Sequence, residues 1–120
     1  MTTHRVQETK TMTTSFKDIL DTLPTTDGIT AIVLLDAAGE TLTRLENKPG
    51  TAGSVRVYHA LIKKHSHINR AAALEGLQLY AEHTADARQN PGKHPNIDRL
   101  LAIAEADAPG IRARIVLQDD

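Results

Sequence analysis

Two glycine-containing stretches carry the residue types that suit binding of an anion. The first is ENKPGTAGS at residues 46–54, which leads from an apparent strand into an apparent helix. Backbone N–H groups at a helix N-terminus lack intrahelical partners, and the helix dipole also favours negative charge there. Glycine lets the main chain approach a ligand closely, and a lysine supplies positive charge. The predicted binding residues here are Lys48, Gly50, Thr51, Gly53 and Ser54.

The second stretch, HTADARQNPGKHPNIDRL at residues 83–100, also places a Gly-Lys pair before a helix start. Pro95 suits the first position of that helix because its missing N–H would have no partner there anyway. If both helix starts open at the same end of a sheet, they form one electropositive pocket. The predicted binding residues of this stretch are Lys93, His94 and Asn96.

Both stretches also have a simpler explanation, which the sequence leaves open. Glycine and proline are common in ordinary connections, Ser54 is a natural N-cap for the following helix, and an asparagine can cap the other one. The phosphate-binding pattern G-x-x-x-x-G-K-[ST] is absent, because only two residues separate Gly50 from Gly53 and no lysine follows.

The chain shows no strong metal or catalytic motif. His83 and Asp86 are three residues apart on a predicted helix and could reach one metal ion, with His94 as a third ligand. On a helical wheel, however, Asp86 points away from His83, and nothing resembles H-E-x-x-H. We therefore expect no metal and no cofactor. No nucleophile elbow or triad context appears, so no catalytic residue is assigned and the sequence favours a protein that is not an enzyme.

Composition excludes several classes of protein. The chain of 120 residues suits one domain, and its 14 Lys and Arg against 15 Asp and Glu give a formal charge of −1. That balance, with three aromatic residues in total, argues against a nucleic-acid partner. No apolar run is long enough to span a membrane, and the lack of cysteine suits a cytoplasmic protein.

The domain is expected to occupy residues 15–118. Residues 1–14 are polar and rich in threonine, which predicts a flexible tail. A second MTT begins at Met12, so residues 1–11 are interpreted as an upstream extension.

Apolar spacing, capping residues and chain breakers predict an α+β domain in the order α-β-β-α-α-α-β. The unbroken apolar first strand should lie at the centre of a mainly antiparallel sheet of order 2-1-3, with about four helices mainly on one face. The predicted helices cover 15–23, 54–65, 68–89 and 96–106, and the predicted strands cover 28–36, 40–48 and 111–118.

The central strand is apolar on both faces, and this raises the possibility of self-association. Helices on one face would leave the other dependent on the short first helix, so Ile32, Leu34 and Val116 would form an exposed apolar patch. This predicts a homodimer. A row of small residues on the third helix, which includes Gly76, fits either packing against the second helix or a docked partner helix.

The strings ENKPGTAGS leading to VYHAL, and LYAEHTADAR leading to NPGKHPNIDRLL, resemble an uncharacterised bacterial family, a domain of unknown function. The resemblance covers Ser15 to Leu117 and implies a bacterial, cytoplasmic protein without adding any catalytic residue. The sequence thus predicts a small domain that binds an anionic small molecule or group. The alternative is an interaction or assembly module that acts through its sheet.

Overall fold

The computed structural model describes residues 15–118. The predicted tail at 1–14, including the proposed extension at 1–11, lies outside the described residues. Within them the chain forms five helices and three strands. These are α1 (Phe16–Leu20), β1 (Ile29–Leu35), β2 (Thr41–Glu46), α2 (Ala52–His65), α3 (Arg70–Leu79), α4 (Glu82–Gln89), α5 (Pro95–Glu105) and β3 (Arg112–Leu117).

The predicted fold class is confirmed. The strands form one sheet of order β2-β1-β3, in which β1 pairs antiparallel with both neighbours. The hairpin between β1 and β2 is closed by Asp36, whose side-chain oxygen accepts hydrogen bonds from the N–H groups of Ala38 and Glu40. Gly39 completes this turn at φ 88°, a conformation that glycine adopts without steric cost. The apolar β1 is therefore central, as its sequence predicts.

The helix predicted over residues 68–89 is divided in two, which raises the number of helices to five. Tyr80 ends α3, and Ala81 takes φ 52° before α4 begins at Glu82. The Thr84 hydroxyl donates to the Leu77 carbonyl at 2.6 Å and so takes up an acceptor that the broken helix leaves free.

The helices cover the face of β1 that carries Ile32 and Leu34, which was expected to stay exposed. Ile32 and Leu34 are fully buried and belong to the main core cluster, together with Tyr58 and Leu61 of α2 and Leu100 of α5. Ile32 and Leu34 of the predicted patch are therefore not at the surface, and its third member, Val116, pairs with Ala31 on the other face of the sheet. The three residues form no common patch, so the expected homodimer loses the surface on which it was based.

The other face of the sheet carries Ala31 and Val33, which are buried without belonging to the main core cluster. The cross-strand neighbours of Val33 are the exposed Arg44 and Arg114. Arginine stems at such positions can lie over an apolar neighbour while the guanidinium groups stay in water. This arrangement explains how β1 can be apolar on both faces although helices pack on only one.

The row of small residues on α3 packs inside the molecule. A Cβ atom on Gly76 would lie 2.7 Å from Leu100 Cδ1 and 2.9 Å from Leu61 Cδ1. The absence of a side chain therefore lets α2 and α5 approach α3 closely. This contact agrees with packing against the second helix, which was one of the two alternatives for this row.

Candidate functional site

The two predicted binding stretches meet at one cavity of about 430 Å³. The loop before α2 and the first turn of α2 form one part of it, and the loop before α5 and the first turn of α5 form another. Phe16 of α1, Tyr80 at the end of α3 and His83 of α4 complete it. Its lining residues are Phe16, Gly50, Thr51, Gly53, Ser54, Tyr80, His83, Lys93, His94, Pro95, Asn96 and Ile97. All the predicted binding residues except Lys48 are among them.

Lys48 lies outside the lining and has a role in the turn before α2. Its main-chain carbonyl accepts hydrogen bonds from the N–H groups of Thr51 at 3.0 Å and Ala52 at 2.8 Å. Lys48 itself is exposed. The positive charge beside the cavity comes from the other stretch, at Lys93.

Helix α2 begins at Ala52, three residues before the start that a cap at Ser54 would give, so the predicted cap is wrong. Thr51 occupies the N-cap position, and its hydroxyl donates to the Glu46 carbonyl at 2.6 Å instead of accepting from the helix. Gly53 and Ser54 consequently lie in the first turn. Within residues 15–118, neither of their backbone N–H groups has a hydrogen-bond partner. The helix therefore presents two donors of the kind that an anion can use.

Helix α5 begins at Pro95, as predicted, and His94 rather than Asn96 occupies the cap position. The loop before it is fixed by Asp98, which accepts a hydrogen bond from the Gly92 N–H at 2.9 Å. Asn96 lies in the first turn, and its backbone N–H has no partner in the described part of the chain. A second helix N-terminus thus opens on the cavity.

Asn96 is held by two residues outside the lining. The Tyr58 hydroxyl donates to its carbonyl oxygen at 2.6 Å, and Arg99 Nη1 donates to its side-chain oxygen at 3.0 Å. The Arg99 group also donates to the Tyr58 hydroxyl at 3.2 Å. Burial raises the pKa of Tyr58 to about 12, an effect that the positive charge of Arg99 partly offsets. This partly buried network fixes the first turn of α5.

Lys93 and His94 share one carboxylate, that of Asp86 on α4. The Asp86 Oδ2 atom lies 2.6 Å from His94 Nε2 and 3.0 Å from Lys93 Nζ. Hydrogen bonds from His94 first and Lys93 second lower the pKa of Asp86 to about 2. Asp86 itself does not line the cavity. It orients both side chains and partly neutralises the positive charge of Lys93.

The weak metal candidates are only partly brought together. The His83 and His94 rings have centroids 5.8 Å apart, and the Asp86 carboxylate contacts His94 and Lys93. Across residues 15–118, no group of three His, Asp or Glu side chains is positioned to hold a metal ion.

Sequence analysis missed the aromatic side of the cavity. The Phe16 and Tyr80 rings stack with centroids 5.3 Å apart and planes 18° apart, and His83 meets Phe16 edge-on at 5.0 Å. The Phe16 N–H donates to Glu82 at 2.8 Å, which ties α1 to the start of α4. Tyr80 and His83 are one helical turn apart in sequence, but no local signal pairs either with Phe16.

Tyr80 also links this aromatic side to α2. Its hydroxyl donates to Ser54 Oγ at 2.7 Å, and its ring is only 3% exposed. Burial raises the pKa of Tyr80 well above its usual value, so the phenol stays protonated. Ser54 receives that hydrogen bond and keeps its own hydroxyl proton for another acceptor, such as an anion in the cavity.

Among the described helices, none combines the length and the apolar character needed to cross a membrane. No curated protein and no solved structure matches the chain. A family model described as an uncharacterized protein conserved in bacteria, DUF2322, matches residues 16–114. That match spans all the helices, β1, β2 and the first half of β3, including every residue that lines the cavity. The chain therefore belongs to the DUF2322 family of bacterial proteins, as the resemblance in its loop sequences implied.

Proposed function

We propose that the cavity binds an anionic small molecule, or the anionic group of a larger one. The observation that carries this proposal is the convergence of two helix N-termini on one cavity. Backbone N–H groups of Gly53, Ser54 and Asn96 lack protein partners within residues 15–118, and all three residues line the cavity. Helix dipoles and unpaired N–H donors both favour negative charge at such a place.

The side chains of the lining support the same sign of charge. Among the twelve lining residues there is no Asp or Glu, whereas Lys93 and two histidines are present. Asp86, the carboxylate that contacts Lys93 and His94, is not among the lining residues. A bound anion would therefore meet N–H donors and a lysine in a lining that contains no carboxylate.

Thermal unfolding with added anions tests this proposal. Inorganic phosphate or sulfate at 100 times its Kd would stabilise the protein by about 2.7 kcal/mol, which raises Tm by several degrees for a domain of this size. Lys93→Ala should reduce that gain, because it removes the lysine that lines the cavity. Lys48→Ala is the matched control, since Lys48 is exposed and lies outside the lining. Its gain should equal that of the wild type.

Two results would contradict the proposal. One is a panel of anions that raises Tm no more than sodium chloride of equal ionic strength does. The other is an equal loss of the gain in Lys48→Ala and Lys93→Ala, which would indicate general screening of charge.

The alternative, an interaction module that acts through its sheet, has less support. Ile32 and Leu34 are buried beneath the helices. Exposed leucines on the strands are Leu42 on β2 and Leu117 on β3, which lie beside opposite ends of β1. Single exposed leucines are ordinary on protein surfaces.

A further inference from the structure

We infer that the anion bound in this cavity carries a planar aromatic body, which lies against the ring of Phe16. The inference rests on the proposed anion-binding function and adds the class of ligand. It starts from the size of the cavity. Pockets for organic ligands usually measure about 300–1,000 Å³, and this one is about 430 Å³. An inorganic oxyanion at the two helix N-termini would leave much of that space open.

The lining combines polar and apolar groups. The polar groups are Lys93 and the backbone N–H groups of Gly53, Ser54 and Asn96 that are free within residues 15–118. The apolar groups are Phe16, the Tyr80 ring, Pro95 and Ile97. A ligand that matches both kinds of group must join an anionic group to an apolar body.

Phe16 is the residue that points to an aromatic body. The chain has three Phe or Tyr residues, of which Tyr58 and Tyr80 are buried and Phe16 is half-buried. The Tyr80 ring stacks on one side of Phe16, and Gly53 leaves room for the ring beside α2, with the position of a Cβ atom 3.2 Å from Phe16 Cε2. The His83 ring also meets Phe16 edge-on, with centroids 5.0 Å apart. The Phe16 ring is thus held by three neighbours and still lines the cavity with part of its surface. A flat ring in the ligand would cover that surface.

A stacked aromatic pair strengthens binding beyond the burial of area by about two- to tenfold. The test compares three probes on the full chain by isothermal titration calorimetry: inorganic phosphate, phenyl phosphate and cyclohexyl phosphate. The two esters carry the same phosphate group and have a similar size, and only phenyl phosphate has a flat ring. We expect phenyl phosphate to bind about two- to tenfold more tightly than cyclohexyl phosphate.

Variants on α1 separate stacking from general packing. Phe16→Leu keeps an apolar side chain and should lower the affinity for phenyl phosphate more than the affinities for cyclohexyl phosphate and inorganic phosphate, which abolishes the preference for phenyl over cyclohexyl phosphate. Leu20→Ala, on the same helix and outside the lining, should keep the preference.

The outcomes distinguish this inference from the proposed function. Binding of inorganic phosphate with no preference between the two esters would overturn the inference and leave the proposed function standing. An equal loss for all three probes in Phe16→Leu would also overturn it, because Phe16 would then act only through the structure. If none of the three probes binds, the proposed function is wrong and the inference fails with it.

Discussion

The hydroxyl of Tyr58 provides the sharpest test of how the first turn of α5 is held. Tyr58 is fully buried and donates to the Asn96 carbonyl at 2.6 Å while it accepts from Arg99 at 3.2 Å. Tyr58→Phe removes the oxygen and leaves the ring in place. It therefore leaves the Asn96 carbonyl without this donor and removes one of the Arg99 contacts.

The size of the effect follows from burial. A buried group that loses its hydrogen-bond partner costs about 1–3 kcal/mol. For a domain of this length one kcal/mol corresponds to about 4 °C, so Tm should fall by about 4–12 °C. Tyr80→Phe is the matched control, because its hydroxyl donates to Ser54, which lines the cavity and can take a water molecule instead. The loss of stability in Tyr80→Phe should be smaller, about 1 kcal/mol.

Tyr58→Phe should also change how stability depends on pH in alkaline solution. Because the pKa of Tyr58 rises from about 10 in the unfolded chain to about 12 in the folded one, the protonated phenol favours folding. This contribution is present below pH 10 and is lost as the pH rises to 12. Tyr58→Phe should flatten the decline of stability across that window by up to about 1.4 kcal/mol per pH unit.

Urea denaturation of wild type, Tyr58→Phe and Tyr80→Phe at pH 7 and from pH 9.5 to 11.5 measures both effects. Equal stability of Tyr58→Phe and Tyr80→Phe at pH 7 would refute the argument that the Asn96 carbonyl depends on Tyr58. An unchanged alkaline slope in Tyr58→Phe would refute the buried, protonated state of this phenol.

Two further substitutions test other contacts. Asp86→Asn removes the carboxylate that binds Lys93 and His94, so phosphate affinity measured by calorimetry should rise. The pKa of Asp86 is lowered to about 2, so its ionised form stabilises the fold above about pH 4. The part of the fall in Tm in acid that comes from protonation of Asp86 should therefore disappear in the variant. Unchanged phosphate affinity and an unchanged dependence of Tm on pH would contradict the pairing. Gly110→Ala would place a Cβ atom 2.8 Å from the Ile68 carbonyl oxygen, which is hydrogen-bonded to the Ile111 N–H. We expect a loss of about 1–3 kcal/mol by urea denaturation, and an unchanged midpoint would show that the backbone there yields easily.

Much of the fold could be read from the residues because local patterns and chain connectivity restrict it strongly. The unbroken apolar run of β1 predicts a central strand, and the short hairpin after it makes β2 its antiparallel neighbour. The strand β3, with its alternating apolar residues, then pairs with the remaining edge of β1. The two Gly-Lys loops could also be recognised as helix starts, and Pro95 marks the first residue of α5 correctly.

Local ambiguity explains the details that were predicted wrongly. Thr51 and Ser54 are both good capping residues, so the start of α2 depends on the turn around Lys48 rather than on either side chain. Alanine strongly favours helix, and the positive φ of Ala81 therefore has no local cause in the sequence. That conformation becomes possible because the contacts of Tyr80 with Phe16 and Ser54 compensate for the broken helix.

The sequence by itself determined the order of elements, the central strand and the two glycine-containing loops that precede helices, since each depends on residues close together in the chain. Only the tertiary structure decided which face of β1 meets the helices. Both faces are apolar, and alternation with a period of two residues does not distinguish them. The tertiary structure likewise decided that the two loops share one cavity and that Phe16 lies on Tyr80, 64 residues away. Contacts at that separation arise from packing of the whole core, which no local pattern encodes.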